Sequence, residues 1–278
     1  MKITIAKSSG FCFGVRLAIE KAKMLTQSGR TVHILGDIVH NNFVVQDLKN
    51  RGIKKIFDIK PVKNSTLIIR AHGAPKKTFE KARKCGYKIT DATCPKVKDI
   101  YKIAKRLEKN NKILIIGDKD HDEVKGIIGQ LKKRPIVIEN AHDINSERFK
   151  KIKKAAVITQ STQTIDNIQS IMTRLSEIIS TVKLYDTTCW TTSVKQKEIT
   201  LLPKKNDLIL IIGSKTSANT KHLYEMSKKI NKKTYWIDSA KDLNPKWFKN
   251  IKKTGIMAGA STPDNITEET VKILKKMK

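Results

Sequence analysis

The chain has 278 residues, of which 39% are hydrophobic and 30% are charged. These values are typical of a folded globular protein, and the length allows one large core or two to three small α/β units. No stretch approaches the roughly 18 consecutive apolar residues of a membrane helix. Lys7, Ser8 and Ser9 also interrupt the apolar run that a signal peptide would need after Lys2. We therefore expect a cytoplasmic protein that does not contact membranes.

The formal net charge is +31, which raises the hypothesis of a nucleic-acid-binding or iron-sensing module. However, 48 of the 57 basic residues are Lys and only 9 are Arg, and the chain also contains 38 Ile. This pattern indicates drift toward A/T-rich codons. It leaves few Arg side chains, which form the best paired hydrogen bonds to phosphates and base edges. Nucleic-acid binding is therefore the weaker interpretation, and steeply salt-dependent duplex binding would support it.

Short apolar runs alternate with amphipathic segments along the whole chain. The runs that predict buried strands are 2–6, 32–35, 67–69, 113–116, 136–138, 155–158, 208–212 and 255–258. The clearest helical patterns cover 15–28, 95–109 and 164–179. Gly29 is a predicted C-cap of the first helix, and Pro95 suits the first turn of the second. This alternation predicts an α/β fold with mainly parallel sheets.

An internal repeat is the most informative feature of the sequence. Strand endings of one kind occur at 34–42, 113–123 and 208–220, endings of a second kind at 67–75, 156–164 and 256–264, and cysteine segments at 10–15, 91–97 and 186–192. The spacing is 28 residues from Cys12 to His40, 27 from Cys94 to His121 and 28 from Cys189 to Ser217. We therefore predict three similar α/β units, covering residues 1–95, 96–189 and 190–278.

Ligands of parallel sheets collect at the carboxyl ends of the strands. Three such units in a pseudo-threefold, trefoil arrangement would direct their polar strand ends and cysteines toward one central cavity. Cys85 has no counterpart in the repeat, and we interpret it as incidental.

Cys12, Cys94 and Cys189 are 82 and 95 residues apart, and the chain contains no CxxC pair. A structural zinc site favours closely spaced pairs of ligands, whereas iron–sulfur clusters accept distant thiolates. Three thiolates on a four-iron cluster would leave one iron open to a substrate. An iron–sulfur centre is the favoured hypothesis, and a structural zinc protein is the alternative.

The polar strand ends suit an anionic ligand, because histidines and helix amino termini are good donors to phosphate. The sequence therefore predicts a diphosphate or carboxylate pocket. Its candidate donors are His40, His72, His121, Ser217, Asn219 and Ser261.

Glu123 lies two residues after His121 at a predicted loop-to-helix junction. If buried, its carboxyl group would be a proton donor, but a carboxylate that stabilises the helix dipole fits the spacing equally well. Ser161 and Thr162 lie in the strand ending at 156–164, in the second predicted unit. There they would relay a proton or cap the following helix.

Nine short motifs in this order resemble those of the LytB (IspH) family of 4-hydroxy-3-methylbut-2-enyl diphosphate reductases. They are GFCFGV, VHN, RAHG, DATCP, HDEVKG, TQST, DTTC, GSKTSAN and AGASTPD, between about residues 10 and 265. The resemblance implies a trefoil around one [4Fe–4S] cluster, held by Cys12, Cys94 and Cys189 with one open iron. It also implies reductive removal of an allylic hydroxyl, with two electrons and two protons, to give isopentenyl and dimethylallyl diphosphate. This is the last step of the non-mevalonate isoprenoid pathway.

The resemblance also implies residue roles. The three histidines and Ser217, Asn219 and Ser261 would bind the diphosphate, Glu123 would donate a proton, and Ser161 and Thr162 would contact the substrate. A ferredoxin or flavodoxin would supply electrons.

Four positions depart from the family pattern. Ala218 replaces a common Ser, so either one phosphate donor is missing there or a backbone N–H takes its place, and Ser161 replaces a Thr. Val194 and Lys195 replace a common Asn-Arg pair, which changes the local hydrogen bonding. A non-redox hydro-lyase with the same open-iron cluster is the remaining alternative; it would turn over without a reductant.

Overall fold

The computed structural model describes residues 1–27 and 29–277. The strands are β1 (Lys2–Ile5), β2 (Thr31–Leu35), β3 (Lys54–Ile56), β4 (Ser65–Ile69), β5 (Tyr87–Asp91), β6 (Lys112–Ile116), β7 (Ile136–Ile138), β8 (Lys154–Thr159), β9 (Thr181–Tyr185), β10 (Leu208–Ile212), β11 (Thr234–Ile237) and β12 (Lys253–Ala258). The α-helices are α1 (Phe13–Leu25), α2 (Asn42–Asn50), α3 (Lys76–Lys84), α4 (Pro95–Leu107), α5 (Asp122–Ile128), α6 (Ser146–Lys150), α7 (Ile165–Ser176), α8 (Trp190–Leu201), α9 (Ala218–Ile230) and α10 (Asp264–Lys276).

The strands form three four-stranded sheets, and every strand pairing within them is parallel. The first sheet has the order β3-β2-β4-β5, the second β7-β6-β8-β9, and the third β11-β10-β12-β1. The three orders are equivalent, since each sheet has two central strands and ends on the strand that leads into a cysteine segment. The predicted α/β class with three similar parallel sheets is confirmed.

Apolar central strands explain why each sheet is covered on both faces. All five residues of β4 and of β10 are buried. In the second sheet, Ile113 and Ile115 pack with α4, whereas Leu114 and Ile116 pack with α7 on the opposite face. The carboxyl ends of the strands and the loops after them therefore remain to carry the polar residues.

The chain divides into two compact units. One, here the smaller unit, comprises Met1–Arg16, Val39–Asp47 and Trp190–Lys278 and contains the third sheet. The other, the larger unit, comprises Leu17–Ile38 and Leu48–Cys189 and contains the first and second sheets. The three predicted sequence units remain a prediction, but β1 pairs with β12, so the predicted first unit gives its first strand to the third sheet.

The predicted helices differ from the observed ones mainly at their ends. Residues 15–28 correspond to Phe13–Leu25, and the predicted end at Ser28 lies outside the described residues. The helices at 95–109 and 164–179 are observed as Pro95–Leu107 and Ile165–Ser176. Within residues 1–27 and 29–277, no helix has the length and hydropathy needed to cross a membrane.

Candidate functional site

The loops after β2, β6 and β10 share one geometry. Each begins at a glycine whose N–H donates to the carbonyl oxygen at the end of the neighbouring edge strand: Gly36 to Ile56, Gly117 to Ile138 and Gly213 to Ile237. Four residues later come His40, His121 and Ser217, just before or at the start of the next helix. The repeat detected in the sequence therefore corresponds to equivalent positions in the three sheets.

The three cysteine segments also share one backbone contact. The N–H groups of Cys12, Cys94 and Cys189 donate to the carbonyl oxygens of Ala260, Ala71 and Ser161 at 3.1, 2.9 and 2.9 Å, respectively. Each acceptor is the second residue after β12, β4 or β8, so all three half-buried cysteines lie at the carboxyl ends of strands.

The grouping of the cysteines differs from the one that the sequence suggested. In the sequence each cysteine segment precedes one pair of strand endings, whereas in the structure it bonds to the sheet that contains the strand directly before it. Cys94 follows β5 and bonds to the first sheet, Cys189 follows β9 and bonds to the second, and Cys12 follows β1 and bonds to the third. The reason is that the edge strand directly before each cysteine, β5, β9 or β1, belongs to the sheet to which that cysteine bonds.

The larger unit brings two of the predicted histidines together. The rings of His72 and His121 meet edge to face, with centroids 5.3 Å apart. His121 is the N-cap of α5, and its Nδ1 accepts the N–H of Glu123 at 3.1 Å. Arg70 and Asp122, the neighbours of these histidines in sequence, form an ion pair at 2.6 Å. Side chains of the RAHG motif and of the HDE segment therefore join the loop after β4 to the start of α5.

Glu123 lies at the same junction and is 2% exposed. One carboxyl oxygen accepts the Ser161 N–H and the other accepts the Ser161 hydroxyl, both at 2.6 Å. Burial raises the pKa of Glu123 above its ordinary value, while the bonds from Ser161 oppose the rise. Of the two interpretations that the sequence left open, this environment favours a carboxyl group that holds a proton.

Thr162 is held by its neighbour Gln160, whose amide nitrogen donates to the Thr162 hydroxyl at 3.0 Å. The cap of α7 is Thr164, which accepts the N–H of Asn167. The helix-capping interpretation of Ser161 and Thr162 is therefore wrong, because α7 starts two residues later than that interpretation requires.

Tyr101 on α4 supports the His72 loop and was missed in the sequence, where its position in the apolar stripe hid it. Its hydroxyl donates to the His72 carbonyl oxygen at 3.5 Å. A Cβ atom at Gly73 or Gly126 would overlap this hydroxyl, so both glycines make room for it. Burial raises the pKa of Tyr101, which keeps the phenol protonated.

The smaller unit contains the other polar strand ends. Ser217 caps α9 by accepting the Thr220 N–H at 3.3 Å, and the half-buried Ala218 is the first residue of the helix. Asn219 is 6% exposed, and neither atom of its amide group has a hydrogen-bond partner among the described residues. The Ser261 hydroxyl donates to the His40 carbonyl oxygen at 3.2 Å. A buried amide of this kind is costly unless a ligand completes it.

The smaller unit also contains a buried lysine. Lys195 on α8 is 2% exposed, and its ammonium group donates to the carbonyl oxygens of Gly10 at 3.0 Å, Ala258 at 3.3 Å and Ser8. Burial lowers the pKa of Lys195 to about 8, and the negative charge of a Cys12 thiolate acts in the opposite direction. The sequence showed Lys195 only as a departure from the family pattern.

Comparison with known proteins gives a match to the model of the LytB protein family over residues 3–275. The chain belongs to the LytB protein family. Relatives named 4-hydroxy-3-methylbut-2-enyl diphosphate reductase include that of Aquifex aeolicus, 38% identical with 96% of this chain and 93% of the relative covered. The relative from Dictyoglomus thermophilum is 37% identical, with 100% and 97% covered.

Two solved structures have the same fold. One is described as (E)-4-hydroxy-3-methyl-but-2-enyl diphosphate reductase, the terminal enzyme of the non-mevalonate pathway; it is 36% identical, with a TM-score of 0.73 and 99% and 100% of the two chains covered. The other, the E-1-hydroxy-2-methyl-but-2-enyl-4-diphosphate reductase from Plasmodium falciparum, is 27% identical, with a TM-score of 0.89 and 99% and 88% covered. LytB proteins depend on iron–sulfur chemistry, and the three equivalent thiols of this chain are donors of the type that such a centre takes.

Proposed function

We propose that the chain reduces 4-hydroxy-3-methylbut-2-enyl diphosphate to isopentenyl and dimethylallyl diphosphate in the cytoplasm, as the last step of the non-mevalonate pathway. The reaction consumes two electrons and two protons, and the allylic hydroxyl leaves as water. The observation that carries the proposal is the buried carboxyl group of Glu123, held by Ser161 beside the contacting rings of His72 and His121. This arrangement provides a proton donor next to donors for an anion, in a chain whose full-length relatives are named as this reductase.

The proposed ligands of one [4Fe–4S] cluster are Cys12, Cys94 and Cys189. Equivalent backbone bonds fix the three segments at strand ends, which supports one common role for the thiols. When bound, the cluster would supply electrons. Its one iron that lacks a protein ligand would act as a Lewis acid toward the substrate hydroxyl.

The proposed diphosphate site uses two kinds of donor. Imidazole N–H groups carry positive charge when protonated, and the amino terminus of α9 presents backbone N–H groups together with the amide of Asn219. At Ala218 only the backbone N–H is available. The complete proposed set is His40, His72, His121, Ser217, Ala218, Asn219 and Ser261.

Glu123 is the proposed proton donor to the departing oxygen. Its raised pKa keeps the carboxyl group protonated at higher pH than an exposed Glu, and the Ser161 hydroxyl fixes its orientation. Thr162, oriented by Gln160, is proposed to contact the substrate next to Ser161.

The proposed electron donor is an acidic ferredoxin or flavodoxin. The formal net charge of +31 supports this class of partner, because opposite charges accelerate association.

Anaerobic reconstitution, iron and sulfide analysis, and an assay with the allylic diphosphate and a low-potential reductant test the proposed function. We expect reductant-dependent release of both C5 diphosphates by the wild type and by Glu177→Gln, a control at an exposed carboxylate. Conversion without reductant would instead support the hydro-lyase, and a reconstituted protein that leaves the substrate unchanged would disprove the proposal.

A further inference from the structure

The segment before Cys12 is built differently from the segments before the other two cysteines. Asp91 lies three residues before Cys94, and Asp186 lies three residues before Cys189. The Asp91 carboxylate accepts the Thr93 N–H at 2.9 Å, and the Asp186 carboxylate accepts the Thr188 N–H at 2.8 Å. The corresponding residue before Cys12 is Ser9, whose hydroxyl accepts the Ala258 N–H at 2.7 Å. The Cys12 segment therefore has no carboxylate of its own at this position.

Two side chains of α8 hold that segment instead. Glu198 accepts the N–H groups of Lys7 and Ser8 and the Ser8 hydroxyl, at 2.6, 2.8 and 2.6 Å. Although burial opposes it, these bonds hold the pKa of Glu198 below its ordinary value, so it stays ionised. Lys195 donates to the carbonyl oxygens of Ser8 and Gly10, and thereby fixes the backbone two residues before Cys12.

The position of Lys195 in the repeat shows that packing does not require a charge there. Lys195 is the sixth residue after Cys189, and the sixth residues after Cys12 and Cys94 are Ala18 and Ile100, both fully buried. A buried ammonium group is costly unless its partners compensate for lost water. Three carbonyl oxygens are the compensating partners in this structure.

We propose that Lys195 is a positioning residue that fixes the Cys12 segment and places a buried positive charge against the backbone of that segment. The inference rests on the proposed function, in which Cys12 ligates the cluster. A buried cation beside this backbone would stabilise negative charge on the centre that Cys12 ligates under the proposed function, so Lys195 favours its more reduced state.

Hydrogen exchange of the cluster-free protein tests the positioning part. We compare the wild type, Lys195→Gln, Lys195→Arg and, as a control at an exposed position of the same helix, Lys197→Gln. We expect amides of residues 7–12 to exchange about tenfold faster in Lys195→Gln, a factor typical of losing a charged hydrogen bond. Lys195→Arg and Lys197→Gln should match the wild type, and unchanged exchange in Lys195→Gln would overturn this part.

A potentiometric titration of the reconstituted cluster tests the charge. We expect a lower midpoint potential in Lys195→Gln, a wild-type value in Lys195→Arg, and a higher value in Glu198→Gln, which removes a negative charge from the same segment. Equal potentials in all variants would overturn the charge assignment, and the Glu198→Gln result decides it if Lys195→Gln does not fold. A wild type that takes up no cluster would instead disprove the proposed function, while the exchange experiment would still report on positioning.

Discussion

The polar strand ends of the second and third sheets satisfy their buried groups in opposite ways. In the second sheet, Glu123 receives two hydrogen bonds from Ser161 within the protein. In the third sheet, the buried amide of Asn219 has no partner among the described residues. Under the proposed function, the acid is preorganised before substrate arrives, whereas the amide would be completed by substrate. Four experiments test this difference and the contacts around the proposed acid.

Glu123→Gln should have the largest effect. The variant keeps the size and a carbonyl acceptor for Ser161 but loses the acidic proton, so we expect kcat to fall by about a hundredfold or more while KM changes little. Steady-state kinetics under anaerobic conditions measure both constants. Near wild-type kcat in Glu123→Gln would contradict the assignment of the acid.

Asn219→Ala should raise KM about tenfold, the effect of losing one hydrogen bond to a charged ligand. The free protein should lose little stability, because the amide makes no bond among the described residues. Asn167→Ala is the matched control: its amide donates to Glu139 and Gln163, so this change should cost about 1 kcal/mol of stability and leave KM unchanged. Equal loss of stability in both variants would refute the contrast.

The pH dependence of stability should reveal the buried acid. Because the pKa of Glu123 is raised in the folded state, this group stabilises the fold fully below its ordinary pKa, and the contribution is lost as pH rises through the raised value. The slope from one group is at most about 1.4 kcal/mol per pH unit. Urea unfolding from mildly acidic to mildly alkaline pH should show this decline in the wild type and not in Glu123→Gln. The kcat of the wild type should decline over the same range.

Tyr101→Phe should have the smallest effect. Loss of the hydroxyl leaves the His72 carbonyl oxygen without this donor, at a cost of about 1 kcal/mol in the free energy of unfolding. Tyr235→Phe is a suitable control, since the ring stacked on Trp247 is retained. Equal unfolding free energies for Tyr101→Phe and the wild type would show that the hydroxyl does not support the loop.

The central strands and the repeated polar ends could be predicted from the sequence, because fully buried strands form continuous apolar runs. The four strands that were not predicted, β3, β5, β9 and β11, are all edge strands. Their exposed sides carry lysines and other polar residues, as in Tyr87–Asp91 and Thr181–Tyr185, which masks the apolar pattern.

Contacts between distant segments account for what the sequence did not show at the site. Glu123 and Ser161 are 38 residues apart, and only the adjacent ends of β6 and β8 explain their contact. Tyr101 looks like an ordinary member of an apolar stripe until Gly73 and Gly126 are found beside its hydroxyl. Lys195 meets Ser8 across 187 residues of sequence, a distance at which local patterns carry no signal.

The pairing of β1 with β12 has a consequence for synthesis of the protein. Lys2 is matched with Lys253, so β1 is synthesised about 250 residues before the strand with which it pairs. Closing so long a loop is slow, and we expect the third sheet to be the last to form during translation. The Cys12 thiol would then reach its final place only after β12 has been synthesised, so the proposed cluster could be loaded only after that point.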